Sequence, residues 1–304
     1  MEWPAGALPY DLPFTLGHET TGRVAALGPG VSGVEEGEPM VVYGPWGCGR
    51  CRRCALGEEN YCERAAEIRA AGGGLGRDGG MAEYMLVPST RLLVPLGDLD
   101  PVAAAPLTDA GLTPYHAIKR SLPLLEPGST AVVIGVGGLG HLAVQLLKAL
   151  SPARVVAVDT VEAKLDQARR IGADAGVLAG EQAADQIRGR TRMGLGAELV
   201  LDLVGADPTL ALAAQVAKPK GAVTIVGLAG GTLPVAFGQL PLECSVAIPY
   251  WGSRSELMEV IALAQAGRIE PEVERFPLEQ AHLAYQRMRD GQLRGRAVIT
   301  LSAS

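Results

Sequence analysis

From about residue 109 the chain alternates short, almost wholly apolar runs with longer stretches in which apolar positions recur every three or four residues. The runs TAVVIG, RVVAVD, AGVLA, AELVLDLVG and AVTIVG lack a polar face, as strands buried on both sides require. Between them HLAVQLLKAL, AKLDQARRIG, AADQIRGRT and ALAAQVAKP gather their apolar side chains on one face of a helix. Strand and helix alternating in this way predict a parallel sheet with helices on both faces. A helix over TDAGLTPYHAIKRS precedes the series. Helices over SELMEVIALAQAGRI and LEQAHLAYQRMRDG and a strand, RAVITL, follow it.

The first 110 residues follow another pattern. Helical periodicity is scarce, glycine and proline are frequent, and the β-like pieces RVAALG, PMVVYG, AEYMLVP and RLLVP are short. The expected organisation is a β-rich domain over residues 1–112 and 252–304, and a doubly wound α/β domain over 113–251. No internal repeat is present. A length of 304 residues suits two domains, and 48% hydrophobic residues suffice for two cores. A net charge of −6 leaves no basic surface for nucleic acid, and 4% aromatics leave little for stacking platforms. The opening MEWPAGALPYDLPF has neither the basic nor the continuous apolar region of a signal peptide. The most apolar stretch, 131–150, is interrupted by glycines and reads as strand, turn and helix, not a membrane span. A cytoplasmic protein without membrane or nucleic-acid partners is expected.

Cys48, Cys51, Cys54 and Cys62 stand in CGRCRRCALGEENYC, a C-x2-C-x2-C-x7-C chelate pattern. Short loops let neighbouring thiolates face one ion, and four thiolates complete the closed tetrahedral shell of structural zinc. Arg50, Arg52 and Arg53 lie between the sulfurs, where positive charge favours the thiolate form. Disulfides are the alternative, and nothing marks the chain as secreted. Such a site holds a loop together and leaves no open position for chemistry.

AVVIGVGGLGHLAVQLLKAL contains G-x-G-x-x-G as Gly135, Gly137 and Gly140, after a strand and at the start of a helix. That context marks a dinucleotide-binding turn, with Gly138 and Leu139 in the same loop. Gly135 permits the tight turn, Gly137 lets the backbone approach a pyrophosphate, and Gly140 allows helix and strand to pack closely. Asp159 ends the next strand. There a carboxylate accepts from ribose hydroxyls and repels a 2′-phosphate, so NAD is favoured over NADP; Asp159 also suits an N-cap. Lys164 reads equally as a ribose contact and as a solvated helix lysine.

The segment GHETTGRVAALGPGV reads G-H-E-x-x-G-x5-G-x-x-V. With the four-cysteine loop, the glycine turn and the ending LRGRAVI in that order, the chain resembles the zinc-dependent medium-chain alcohol dehydrogenases over nearly its whole length. GPWGCG, LTDAGLTPYHAI, VVIGVGGLGH and PYWGSRSELMEV are similar to the bacterial NAD-dependent secondary alcohol dehydrogenases. The resemblance implies a GroES-like catalytic domain, a Rossmann domain, and a second, catalytic zinc with His18 and Asp109 as ligands and Glu19 beside it. Thr113, Val204, Val226 and Leu228 fall where the family meets the nicotinamide half of NAD, and Arg296 where it approaches the pyrophosphate. Tyr10, Tyr250 and Trp251 are candidate pocket walls. His116 and His282 read as ordinary helix residues, His141 as a filler near the phosphates, and Cys244 as a small buried hydrophobe.

The implied reaction is hydride transfer between a secondary alcohol and NAD, with zinc lowering the pKa of the alcohol, in a homodimer or homotetramer. One element of the pattern departs. The family carries G-x-C-H-[ST]-D upstream of GHE, whereas Met1 stands only seventeen residues before His18. The expectation is that roughly forty residues of the pattern, the cysteine ligand and the Ser or Thr of a proton relay are absent. Two other readings follow: an impaired chain that binds NAD and structural zinc without turnover, and a zinc-free reductase of the quinone oxidoreductase type. His18, Asp109 and the cysteine run argue against the last.

Overall fold

In a computed structural model, which describes residue 10 and residues 12–301, the chain divides into two units. One comprises residues 1–112, 251–267 and 271–304, the other 113–250 and 268–270. Most of the stretch from which the lack of a signal peptide was read lies in residues 1–9 and 11, outside the described residues.

In the first unit β1 (Thr20–Arg23) pairs antiparallel with β2 (Pro39–Val42). Single turns α1 (Arg52–Ala55) and α2 (Ala65–Ile68) follow around the cysteine run. A two-residue ladder joins β3 (Gly72–Gly73) to β4 (Gly76–Arg77), and β5 (Leu93–Pro95) returns to the other side of β2. Two expectations are corrected here. The strand predicted over RVAALG ends at Arg23: Val24 still donates to the Glu38 carbonyl at 3.0 Å, but its own carbonyl accepts from Gly37 at 2.7 Å, and this one-residue shift at a left-handed glycine breaks the register. AEYMLVP forms no strand: its alternation fits a pleat, but no neighbouring segment among the described residues pairs with it, and Tyr84 and Leu86 point to solvent. α3 (Pro101–Ala104) starts with proline at its first turn and an Asp100 cap on the Val102 N–H.

The chain enters the second unit within α4 (Leu112–Lys119). Then come β6 (Thr130–Ile134), α5 (Gly140–Leu150), β7 (Arg154–Asp159), α6 (Glu162–Arg170), β8 (Ala175–Leu178) and α7 (Ala183–Arg188). β9 (Ala197–Asp202), α8 (Asp207–Val216), β10 (Ala217–Ile225) and β11 (Ser245–Ala247) complete the sheet. All neighbours are parallel, in the order β11-β10-β9-β6-β7-β8. This is the doubly wound sheet the alternation predicts, and its order reverses between β6 and β9, where such sheets open a crevice at their carboxyl edge. Val132, Val156, Val158, Val200 and Val223 are fully buried in its core, each contributing about 1.5–3 kcal/mol relative to exposure. The edge strand β11 was not predicted; three residues without a buried face carry no periodic signal.

Back in the first unit, α9 (Arg254–Gln265) begins with a capping box of Ser253 and Glu256. β12 (Val273–Pro277) pairs in parallel with β13 (Arg296–Thr300), with α10 (Ala281–Arg289) between them in sequence. Among the described residues no helix is long and apolar enough to cross a membrane.

Candidate functional site

His18 and Asp109, ninety-one residues apart in sequence, meet in the first unit with Nε2 and Oδ2 3.2 Å apart. Nitrogen and oxygen ligands about 2.0–2.1 Å from a tetrahedral zinc stand about 3.3 Å from each other, so this spacing suits two ligands of one ion. Burial pushes the imidazole pKa down, but the hydrogen bond and charge of Asp109 more than offset it, and the net shift is upward. Three neighbours fix the pair. Glu19 accepts the Ala110 N–H on Oε1 at 2.8 Å, pinning the peptide that follows Asp109. Its other oxygen accepts from Nε and Nη2 of Arg296. Trp251 is buried, its ring stands edge-on to His18 at 5.7 Å, and its indole N–H donates to the Thr108 carbonyl at 2.8 Å. A Cβ on Gly44 would lie 2.0 Å from that indole, so glycine there makes room for the ring.

The four cysteines form the only group of three or more candidate metal ligands among the described residues, with all sulfurs within 4.8 Å of one another. Tetrahedral thiolates at about 2.3 Å from zinc have sulfurs about 3.8 Å apart. Here Cys48–Cys54 and Cys51–Cys62 are 4.0 Å apart and Cys51–Cys54 3.4 Å, so the donor set fits zinc. Backbone N–H groups of Cys48, Cys51, Cys54 and Arg64 point at the sulfurs, as thiolate acceptors require. The N–H of Arg50, with help from that of Cys51, draws the Cys48 thiol down to about 6, while burial pushes Cys54 up to about 12. A divalent cation resolves that opposition by supplying the charge a buried thiolate lacks.

In the second unit three glycines shape the turn after β6. Gly135 has φ +91°, and a Cβ there would lie 2.6 Å from Val204. A Cβ on Gly140 would lie 2.0 Å from the Gly135 carbonyl oxygen. At Gly137 a Cβ would meet no protein atom within 4 Å, so the protein itself does not demand glycine there. Close approach of a ligand does. Asp159 is buried; Oδ2 accepts the Val136 N–H of the turn at 2.8 Å and Oδ1 the Val161 N–H at 3.1 Å. Each carboxylate oxygen retains a second lone pair for a ribose hydroxyl. The donor set and the open turn fit a dinucleotide.

Of the remaining predicted residues, Gly138 and Leu139 lie in this turn, Leu139 as the N-cap of α5. Lys164 is half-buried in α6, and Thr113 is buried in α4. Val204 packs over Gly135, Val226 donates to the Asp202 carbonyl, and Leu228 is exposed. Arg296 belongs to the first unit and sits on Glu19. His141 is buried and donates from Nδ1 to the Gly137 carbonyl at 3.1 Å, so it braces the turn. Tyr10 packs edge-on against Phe14, and Tyr250 is exposed. Sequence reasoning missed Asp202, which ends β9 and accepts the N–H groups of Val204 and Gly205, both at 2.9 Å. An aspartate closing a strand three residues before glycine is the Asx-turn signal that announces it.

Residues 2–98 match the model of the alcohol dehydrogenase GroES-like domain, and residues 138–266 that of the zinc-binding dehydrogenase domain. The chain is 37% identical to the NAD-dependent alcohol dehydrogenase of Sulfurisphaera tokodaii, over 96% of this chain and 83% of the relative. It is 34% identical to the D-arabinose 1-dehydrogenase (NADP(+)) of Saccharolobus solfataricus, over 96% and 82%. The structure of the alcohol dehydrogenase from Aeropyrum pernix superposes with a TM-score of 0.88 at 36% identity, covering 96% of this chain and 84% of the other. Acetophenone reductase from Geotrichum candidum, in complex with NAD, gives 0.85 at 32% identity, over 97% and 84%.

Proposed function

The chain belongs to the zinc-dependent medium-chain alcohol dehydrogenase family, and we propose that it interconverts a secondary alcohol and its ketone with NAD, using His18 and Asp109 as ligands of a catalytic zinc. The observation that carries this reading is the 3.2 Å approach of His18 Nε2 to Asp109 Oδ2, a ligand-to-ligand spacing built from distant parts of the chain. When bound, zinc supplies Lewis acidity toward the alcohol oxygen, and NAD supplies the hydride acceptor. The protein's own contribution is positioning. Glu19 and Trp251 hold the two sides of the 108–110 peptide, so Asp109 keeps one orientation toward His18. In the second unit Asp159 and His141 fix the glycine turn against which a pyrophosphate rests. Cys48, Cys51, Cys54 and Cys62 hold a structural zinc.

The test is formation of NADH or NADPH from 2-propanol by the zinc-loaded chain. NAD is expected to outperform NADP, because Asp159 opposes a 2′-phosphate. Asp159→Ser should erase most of that preference and also weaken NADH, by roughly tenfold, since the Val136 N–H loses its acceptor. Equal use of both cofactors by the unaltered chain defeats the assignment of Asp159. A second reading has one observation in its favour: among the described residues this site offers two ligand side chains, and no third candidate ligand groups with them. Under it the chain binds NAD and one zinc without turnover, which zinc analysis distinguishes from two zinc ions with NADH formation.

Self-association rests on the edge of the sheet. β11 pairs only with β10 among the described residues, and Phe237, Leu242, Val246 and Ile248 around it are exposed. An unpaired strand edge beside apolar side chains suits an isologous pairing of two copies. Val246→Lys combined with Phe237→Ser should shift the chain to monomer in sedimentation; an unchanged oligomer places the interface elsewhere.

A further inference from the structure

The second unit has a cavity of about 480 Å³ at the sheet edge opposite the glycine turn. Thr130 and Arg154, the first residues of β6 and β7, lie on its wall, whereas the glycine turn leaves β6 at its far end. Five residues of strand separate the two, about 16 Å. Lys148, Arg154, Arg190 and Arg192 line the cavity against a single carboxylate, Asp174, on a chain whose net charge is −6. The remaining wall is glycine, serine, threonine, proline and alanine, with no aromatic ring.

The five charged groups do not cancel one another. Asp174 accepts from Lys148 Nζ at 3.2 Å and from the Val155 N–H at 2.7 Å. Burial opposes its charge, but these two donors keep its carboxyl below the ordinary range. Arg190 is anchored by one nitrogen to the Gln186 carbonyl at 2.6 Å, which leaves its other donors available. Arg154 lies within the field of Asp174 without bonding it, and Arg192 has no acidic partner among the described residues. Three guanidinium groups around one cavity form donor forks that match phosphate oxygens two at a time. A ring-free wall offers nothing to a nucleobase.

We infer that this cavity is a binding site for a compact, multiply phosphorylated anion, separate from the cofactor turn and outside the dehydrogenase reaction. The chemistry is shared by an inorganic phosphate chain and by a small sugar carrying two phosphates. Two probes therefore go to the full chain by calorimetry in low salt: inorganic tripolyphosphate and a hexose bisphosphate. Each titration is run with and without saturating NADH, which fills the other phosphate-binding surface. The expected result is binding that persists with NADH, weakens at least tenfold in the Arg154→Ser, Arg192→Ser double variant, and is unchanged in Arg170→Ser, an exposed arginine of α6 away from the wall. The tighter probe then identifies the source of the phosphate. Both variant arginines on the wall are exposed, and retained NADH binding shows that the variant is folded. Competition by NADH, an equal loss in Arg170→Ser, an unaltered double variant, or affinity weaker than about 1 mM for both probes overturns the inference.

Discussion

Removing the structural metal, by a chelator or by Cys54→Ser, should destabilise the β-rich unit by about 4 kcal/mol or more. The run 48–62 has little else to hold it. Its regular structure is one helical turn and one 3-10 turn, and of its own residues few are buried. Buried Cys54 and Cys62 face sulfurs, not a hydrophobic core, so without an ion they leave thiols crowded at hydrogen-bond range. The loss should spread through identified contacts. Arg91 bridges the lobe, donating to the buried carboxylate of Glu59 and to the Gly47 carbonyl. Arg254 ties it to α9 by donating its N–H to the Gly57 carbonyl at 2.8 Å and its side chain to the Arg91 carbonyl. Loosening the lobe leaves Glu59 and Arg91 without their setting, and a buried carboxylate without its partner is costly. Thermal unfolding with parallel zinc analysis checks this. The expected variant holds one zinc fewer, melts about 10 °C lower, and is cut by protease between residues 48 and 62. Full zinc content with unchanged melting removes the cysteines from the metal site. Acid should imitate the chelator, because protons compete with zinc for thiolates.

The second unit was legible, apart from its edge strand β11, because its other strands and helices each carry a periodic signal of their own. Val132 and Val156 need only apolar surroundings to declare a strand, and α6 declares itself by one-sided burial, with Leu165 and Ala168 inward. The glycine turn was legible for a related reason, since three chemical demands fall within six residues, at Gly135, Gly137 and Gly140. The β-rich unit resisted such reading. AEYMLVP has the alternation of a strand, yet a strand exists only where a partner offers its backbone, and that is not encoded in the segment. The His18–Asp109 pair is likewise non-local, ninety-one residues apart, and no local pattern links the two. Only resemblance to a family brought them together. The resemblance placed Glu19 beside the metal, but its two partners, the Ala110 N–H and Arg296, come from distant segments that no local pattern links.

His18→Ala and Asp109→Ala should each lower kcat/KM for alcohol oxidation by roughly a thousandfold or more, about 4 kcal/mol of transition-state stabilisation. Each change leaves one partner of a two-ligand edge, and a metal that has lost a ligand is both less populated and misplaced. The double variant should be little worse than either single one, because residues that hold one ion act as a unit. Glu19→Gln isolates positioning from ligation. The amide retains an acceptor for the Ala110 N–H but removes the charge that Arg296 needs. Its expected cost is smaller, about tenfold to a hundredfold, as for groups that orient ligands. The cofactor site belongs to the other unit, so NADH affinity should stay within about twofold in all of these variants. The cysteine-bound zinc should also remain, since its four sulfurs group separately from His18 and Asp109. The sharpest result is therefore a dissociation: turnover and one zinc lost together, with NADH binding and the other zinc intact. If His18→Ala keeps more than about a tenth of the activity, neither residue is a catalytic ligand and the proposed reaction loses its metal. If activity, NADH binding and both zinc ions fall together, the change has unfolded the chain; Asp109→Asn, which keeps a neutral acceptor beside His18, then carries the test with the same zinc count as its readout.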